Sequence, residues 1–266
     1  MDLLRICGHT MLASIRGEMQ YRASFVMSVL FGLLFQSVGF IFVAVVLTRF
    51  DAVAGWGLWE VALLYGIRLT AHGIWTLTVN QLYRFDRMVQ DGTWDRYLIR
   101  PMPLWSQLMF TQFRTTPIGD FASGFVLLIV ALVRVDIAWT PERVLFLPLA
   151  ILGGALIDGA FQLGTAAFAF RFLDTLPLRI VFDDFQGRFA SYPMTIFDRP
   201  LRNFLTWIVP MAFMAWIPST VLLGRTAELP FPGWVAWLAP VIGVALMWLA
   251  VWIFRRESRQ YQSAGH

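Results

Sequence analysis

The residues best equipped for chemistry are ionisable side chains set in otherwise apolar stretches. Glu60, Arg68 and His72 fall eight and four residues apart, a spacing that lets one helix face hold all three. Arg114 and Asp120 share a second apolar stretch, and Asp158 and Gln162 form an i, i+4 pair in a third. His72 with Asp158 has the makings of a proton relay, although a single His–Asp pair without periodic acidic partners is thin support for one. Two other readings stay open. The group lines a polar route or locks helices beside it; or the charges neutralise one another within the subunit, as Arg68 with Asp158 would, purely to hold helices together.

Catalytic chemistry finds little to use. There is no GxSxG, HExxH or CxxC pattern. Asp183-Asp184 lacks the second acidic cluster of a metal-dependent phosphotransfer site and reads as a solvated charge pair among Arg179 and Arg188. The single Cys7 excludes a disulfide within the chain and a cysteine-based metal site. All 21 basic residues are arginine. A phosphate-binding P-loop needs a lysine on the β- and γ-phosphates, so the chain holds no such loop, and any nucleotide-driven work belongs to another polypeptide.

The elements that position these residues are helices in lipid. Of the 266 residues 58% are hydrophobic and only 14% charged, against roughly 25% charged in soluble domains. The expected fold is an all-α integral membrane protein with six transmembrane helices, near 25–47, 57–80, 108–133, 144–170, 203–223 and 234–254. The whole chain, 1–266, is one membrane unit without repeats or a soluble domain. Glu60, Arg68 and His72 fall in the second span, Arg114 and Asp120 in the third, Asp158 and Gln162 in the fourth. Ala155/Gly159 and Ala160/Gly164 are small-residue pairs suited to close helix approach. Pro210 and Pro218 should kink or loosen span five.

Arginine placement sets the orientation. Fifteen arginines lie in the N-terminal segment, the connections after spans two and four, and the C-terminal tail; the alternate connections hold only Arg49, Arg134, Arg143 and Arg225. The positive-inside rule places the fifteen, and both termini, in the cytoplasm, as expected for a multi-pass protein of the cell's inner membrane. Residues 1–22 place Leu4, Cys7, Met11, Ile15 and Met19 at helical spacing, with Arg5, Arg16, Glu18 and Arg22 elsewhere on the wheel. They read as an N-terminal amphipathic interfacial helix rather than a signal peptide. Residues 255–266 form a cytoplasmic tail.

The cytoplasmic connection after span two, "DGTWDRYLIRPMPLW" (91–105), is unusually structured for a greasy chain. Asp91-Gly92 offers a turn, Thr93 an N-cap for the helix that follows, and Pro101 a stop. A short helix of mixed charge and exposed aromatics is shaped to press against a partner; the plainer reading is a solvated helix with interfacial tryptophan anchors.

Three stretches, in order along the chain, resemble the ABC-2-type permeases, the six-span membrane subunits of ABC exporters. The loop matches the family's Gly-x-x-Asp-x-x-Leu-x-Arg-Pro pattern with Gly92, Asp95, Leu98, Arg100 and Pro101. Residues 192–225, with Tyr192-Pro193, Pro210, Pro218 and Gly224-Arg225, are similar to the segment entering and filling span five. The final "YQSAGH" is similar to the closing Tyr-x-Ser-x-Gly. The resemblance implies a connecting helix before span one and a coupling helix between spans two and three. It implies as well a dimer with a second permease subunit, the same chain or a sister, each docked on a cytoplasmic ABC ATPase. The chain itself then binds no cofactor, nucleic acid or metal, while ATP and Mg sit on the ATPase. On that ATPase, Trp94, Tyr97 and Leu98 would be apolar anchors, with Asp95, Arg96 and Arg100 setting register around them. No motif selects a cargo. The competing class is a proton-coupled secondary carrier using Arg68, His72 and Asp158.

Overall fold

A computed structural model describes residues 16–49, 52–79, 82, 84–100, 107–108, 115–172 and 175–261. Its regular elements there are helices; the only other pairing is the isolated bridge between Val53 and Trp56. Of the expected N-terminal amphipathic helix only its last residues are described, and Pro101 and Arg114 also lie outside the described residues.

The first long helix, α1 (Arg22–Arg49), has charged residues only at its ends, so nothing within it resists lipid. Phe31, Leu34, Phe35 and Val38 stand exposed along its outer side. The next, α2 (Leu58–Thr78), is the opposite: nearly every side chain from Val61 to Ala71 is buried. Two short helices follow, α3 (Phe85–Gln90) and α4 (Thr93–Leu98), then α5 (Thr116–Arg134) and α6 (Pro141–Ala167), the latter extended by a 3-10 turn to Phe170. Thr140 caps α6, accepting from the Arg143 amide at 3.4 Å, and Pro141 follows where a missing amide hydrogen costs nothing.

Helix α2 packs between α5 and α6. Small residues make that possible: a Cβ on Gly124 of α5 would come within 2.6 Å of the Leu69 backbone. Of the two small-residue pairs expected on α6, Gly159 does meet a neighbour, the Trp75 indole, whereas a Cβ on Gly164 would meet nothing within 4 Å among the described residues. A close backbone approach on α6 lies instead at Gly153, against Pro240 and Gly243 of the last helix.

After α6 come α7 (Leu176–Phe189), α8 (Arg199–Asn203, continued as a π turn, Phe204–Ile208), α9 (Trp216–Leu222) and α10 (Ala239–Ser258). The expected softening of span five is found at one proline only. The segments Arg199–Ile208 and Met211–Leu222 bend by 74° across Val209-Pro210. Pro218 sits in the first turn of α9, where its absent amide hydrogen has no partner to lose, and does not break the helix.

The described residues contain four helices long and apolar enough to cross a membrane, or five if the bent pair counts as one span. The fold is that of a multi-pass helical membrane protein. Helix α2 spans 21 residues, about 32 Å at 1.5 Å per residue, but Glu60, Arg68 and His72 dilute its apolar character.

The connections gather at two ends. At one, Arg225 Nη2 pairs with Glu60 Oε1 at 2.8 Å and Trp56 Nε1 donates to Glu228 Oε2 at 3.2 Å. At the other, Asp86 meets Thr175 and Arg179, and Arg171 pairs with Glu257. The arginine-rich connections after α2 and α6 and the C-terminal end of α10 therefore meet at one end, and the arginine-poor connections before α2 and after α9 at the other.

Candidate functional site

A polar cavity of about 430 Å³ opens between α1, α2, α5 and α7. Arg68 and His72, one turn apart on α2, form one wall. Asp120 comes from the first turns of α5, and Asp183 and Asp184 from α7. Behind His72, its Nδ1 lies 2.7 Å from Oδ2 of the fully buried Asp158, and Gln162 Nε2 donates to Asp158 Oδ1 at 3.1 Å and to Asp183 Oδ1 at 3.2 Å. The i, i+4 pair read from the sequence thus extends into a chain running from α2 through α6 to α7.

Two expectations for these charges are corrected. Asp158 pairs with His72, not Arg68, because Gly159 seats against the Trp75 indole and so levels residue 158 with the last turns of α2. Glu60 does not share a site with Arg68 and His72: it sits in the first turn of α2, accepts from the Gly57 amide at 2.8 Å and pairs with Arg225. Arg68 is 6% exposed, lies 5.6 Å over the Tyr65 ring and makes no ion pair among the described residues. Asp183-Asp184 is divided: Asp184 takes the exposed pair with Arg188 at 2.8 Å, while Asp183 joins Gln162. Among the described residues no three His, Cys, Asp or Glu side chains converge as a metal site would require.

At the arginine-rich end, α3 and α4 form a tight hairpin. Gly92 takes the left-handed conformation (φ 68°) that a residue with a side chain adopts reluctantly, and it, not Thr93, is the N-cap residue. The capping acceptor is Asp91, whose Oδ1 receives the Thr93 amide at 2.9 Å. Hydrogen bonds from the Thr93 side chain and amide hold the Asp91 carboxyl below its ordinary range. Helix α4 ends at Leu98.

The aromatic residues of α4 face inward, against the expectation that they are exposed anchors. Trp94 is fully buried, its ring 4.9 Å from Phe85, 5.7 Å from Phe170 and 6.2 Å from Phe254, and Tyr97 stacks on it at 5.9 Å. The reason is amphipathicity on a helix of under two turns: positions 94 and 97 share the side facing α3 and α10, so the exposed side falls to Arg96 and Leu98, with Ile99 and Arg100 following. Ile99 is 84% exposed, and the Arg100 guanidinium lies 5.1 Å over the outer Tyr97 ring. Asp95 and Gly92 are half-buried.

A buried ion pair ties this hairpin to α7. Asp86 of α3 accepts from the backbone amide of Thr175 at 3.1 Å, from the Thr175 hydroxyl, and from the fully buried Arg179 guanidinium. Arg179 stands four residues before Asp183, so one helix carries both the hairpin's lock and a wall of the polar cavity. Sequence reading missed Asp86, Thr175 and Arg179 as a site. They lie 89 and 93 residues apart, and the only local hint was an acid and an arginine in connections assigned to the same side.

Over residues 33–265 the chain matches the sequence model of the ABC-2 family transporter proteins. No curated protein and no solved structure matches it. The match covers the α3–α4 hairpin, the broken fifth segment and all of the polar cavity's lining except Phe31 and Gly32, and the chain belongs to the ABC-2 family of transporter proteins.

Proposed function

We propose that this chain is the permease subunit of an ATP-driven exporter, with α2 and the bent pair completing six spans. Both termini and the α3–α4 hairpin face the cytoplasm, where a separate ABC ATPase docks, and a second permease completes the dimer. The family match over residues 33–265 carries this reading, and the lysine-free sequence agrees with an engine on another chain. The hairpin's contact face is Arg96, Leu98, Ile99 and Arg100, while Trp94 and Tyr97 hold that face to the membrane domain. ATP binding and hydrolysis in the partner move the hairpin; Asp86 and Arg179 pass the motion to α7. The test is affinity purification of the tagged chain from its native membrane. An ABC ATPase in stoichiometric amount is the expected result, and its consistent absence would refute the exporter reading.

One observation favours a second reading. The 2.7 Å contact of His72 with buried Asp158 suits a proton-coupled carrier. Proton-gradient-driven uptake by the purified chain alone in vesicles would establish that reading; uptake only with ATP and the ATPase would exclude it.

A further inference from the structure

A second cavity adjoins the polar one. It measures about 460 Å³, lies between α1, α2 and α5, and is almost wholly apolar, with walls that include Leu33, Phe40, Trp59, Leu69 and Val126. Gln36 lines both cavities and marks their junction. Each volume lies within the range of roughly 300–1,000 Å³ typical of ligand sites. Along α2 the apolar cavity reaches to Trp59, toward the Glu60 end, while the polar cavity takes Arg68 and His72 toward the hairpin end. Phe31 and Phe35, both well exposed on α1, frame the polar cavity on its outer side.

The charges say what the polar half would hold. Asp158 has His72, Asp183 has Gln162, and Asp184 has Arg188. Two groups remain without a contacting ion-pair partner among the described residues: Arg68, 94% buried with its Nε lacking a hydrogen-bond partner there, and Asp120, which has a side-chain hydrogen bond with Gln36 and the attraction of His72 and Arg68 from beyond contact distance. A buried guanidinium without an anion in contact is costly, and the Asp120 carboxylate in the same wall likewise has no cation in contact. Both are satisfied by a ligand with an anionic group and an ammonium group close together. A purely anionic head would leave Asp120 facing like charge, and a purely cationic head would leave Arg68 unmatched.

We propose that the two cavities form one site for a zwitterionic amphiphile, its anionic group on Arg68, its ammonium against Asp120, and its alkyl chain past Gln36 in the apolar cavity. The head lies toward the hairpin end and the chain toward the opposite one, the orientation of a lipid in the hairpin-side leaflet. This site rests on the permease reading and names the class of its cargo. The same chemistry is offered by a bilayer phosphatidylethanolamine and by a free single-chain amphiphile.

The test uses the full chain in nanodiscs of phosphatidylglycerol, whose heads carry no ammonium. The probe is lysophosphatidylethanolamine with a diazirine near the chain terminus, compared with equally labelled lysophosphatidic acid and dodecylamine. Photolabelling of peptides containing residues 33–41 or 122–130 by the zwitterionic probe, well above the other two, is the expected result. Arg68→Gln should weaken that labelling by about tenfold or more, as removal of a buried charge partner does, and Arg68→Lys should retain part of it. Asp120→Asn should shift preference toward the anionic probe. Val126→Trp, at a lipid-exposed position that leaves the fold intact, should block labelling by filling the chain's cavity. Phosphatidylethanolamine added to the nanodiscs competes if the ligand comes from the bilayer and fails to compete if a free amphiphile is preferred. Equal labelling by all three probes, insensitivity to Val126→Trp, or equal competition by chainless glycerophosphoethanolamine would each overturn the site. Labelling as expected from a chain that captures no ATPase would sink the exporter reading and leave the site standing.

Discussion

Trp94 separates holding the hairpin from docking on it. Its side chain is fully buried and in ring contact with Phe85, Tyr97, Phe170 and Phe254, which join α3, α4, the end of α6 and α10. Trp94→Ala removes one of the largest buried side chains and leaves a cavity between elements that cannot all collapse inward, at a cost of about 3–5 kcal/mol. Its indole Nε1 has no hydrogen-bond partner among the described residues, so Trp94→Phe forfeits chiefly packing and should cost clearly less. Ile99, 84% exposed, is the opposite case: Ile99→Asp should change stability by about 0.5 kcal/mol or less, yet it puts a charge on the face assigned to the ATPase. The assay pairs a thermal-unfolding midpoint of the purified chain with the amount of ATPase recovered on affinity purification. Trp94→Ala should lower the midpoint and, through it, the recovery; Ile99→Asp should leave the midpoint and abolish the recovery. An unchanged midpoint for Trp94→Ala, or full recovery with Ile99→Asp, would refute the division of the helix into a packing side and a docking side.

Breaking the buried lock with Asp86→Ala or Arg179→Met strands a charge and should cost about 3–5 kcal/mol, while the double substitution to an apolar pair should recover much of it; the unfolding midpoints of the three variants decide. Gly124→Val places side-chain atoms against the Leu69 backbone and should destabilise by about 1–3 kcal/mol or prevent assembly, read as loss of monodisperse protein in gel filtration. With Cys7 replaced, cysteines at Gly55 or Thr226 should react with an impermeant thiol reagent outside intact cells and one at Gln260 should not. Labelling at position 260 would reverse the orientation and remove the hairpin from the cytoplasm.

Much of the frame was legible because lipid imposes a one-dimensional rule: long uncharged runs become long helices, as α1 and α10 did. The grouping of connections into two ends was legible from arginine placement alone, and the ion pairs of Glu60, Asp86 and Glu257 respect it. Which charges meet was not. Arg68 and His72 are both plausible partners for Asp158, and the choice depends on helix register set by the seating of Gly159 on Trp75, a packing fact without a local sequence pattern. The inward turn of Trp94 was hidden for a related reason. On a helix of six residues both sides carry apolar groups, and only the neighbours, Phe85, Phe170 and Phe254, decide which side is covered.

The placement of a buried ion pair between α3 and α7 bears on how the proposed machine would work. An apolar contact there would stabilise the joint as well or better, since desolvating Asp86 and Arg179 offsets most of their attraction. What the charged pair adds is a single permitted register: three donors, from the Thr175 backbone, the Thr175 hydroxyl and Arg179, converge on one carboxylate. Greasy surfaces slide past one another at little cost, whereas displacing this joint by an ångström strands a charge in a dry site. A hairpin pushed from outside therefore has to carry α7 with it. Asp183, four residues on, moves with the helix, and through Gln162 so does the support of the His72–Asp158 pair. The force would reach the cavity at its polar wall, where a small shift changes which charges are matched. An apolar joint could leave α4 displaced with α7 at rest, and hydrolysis would then be spent without moving the cavity.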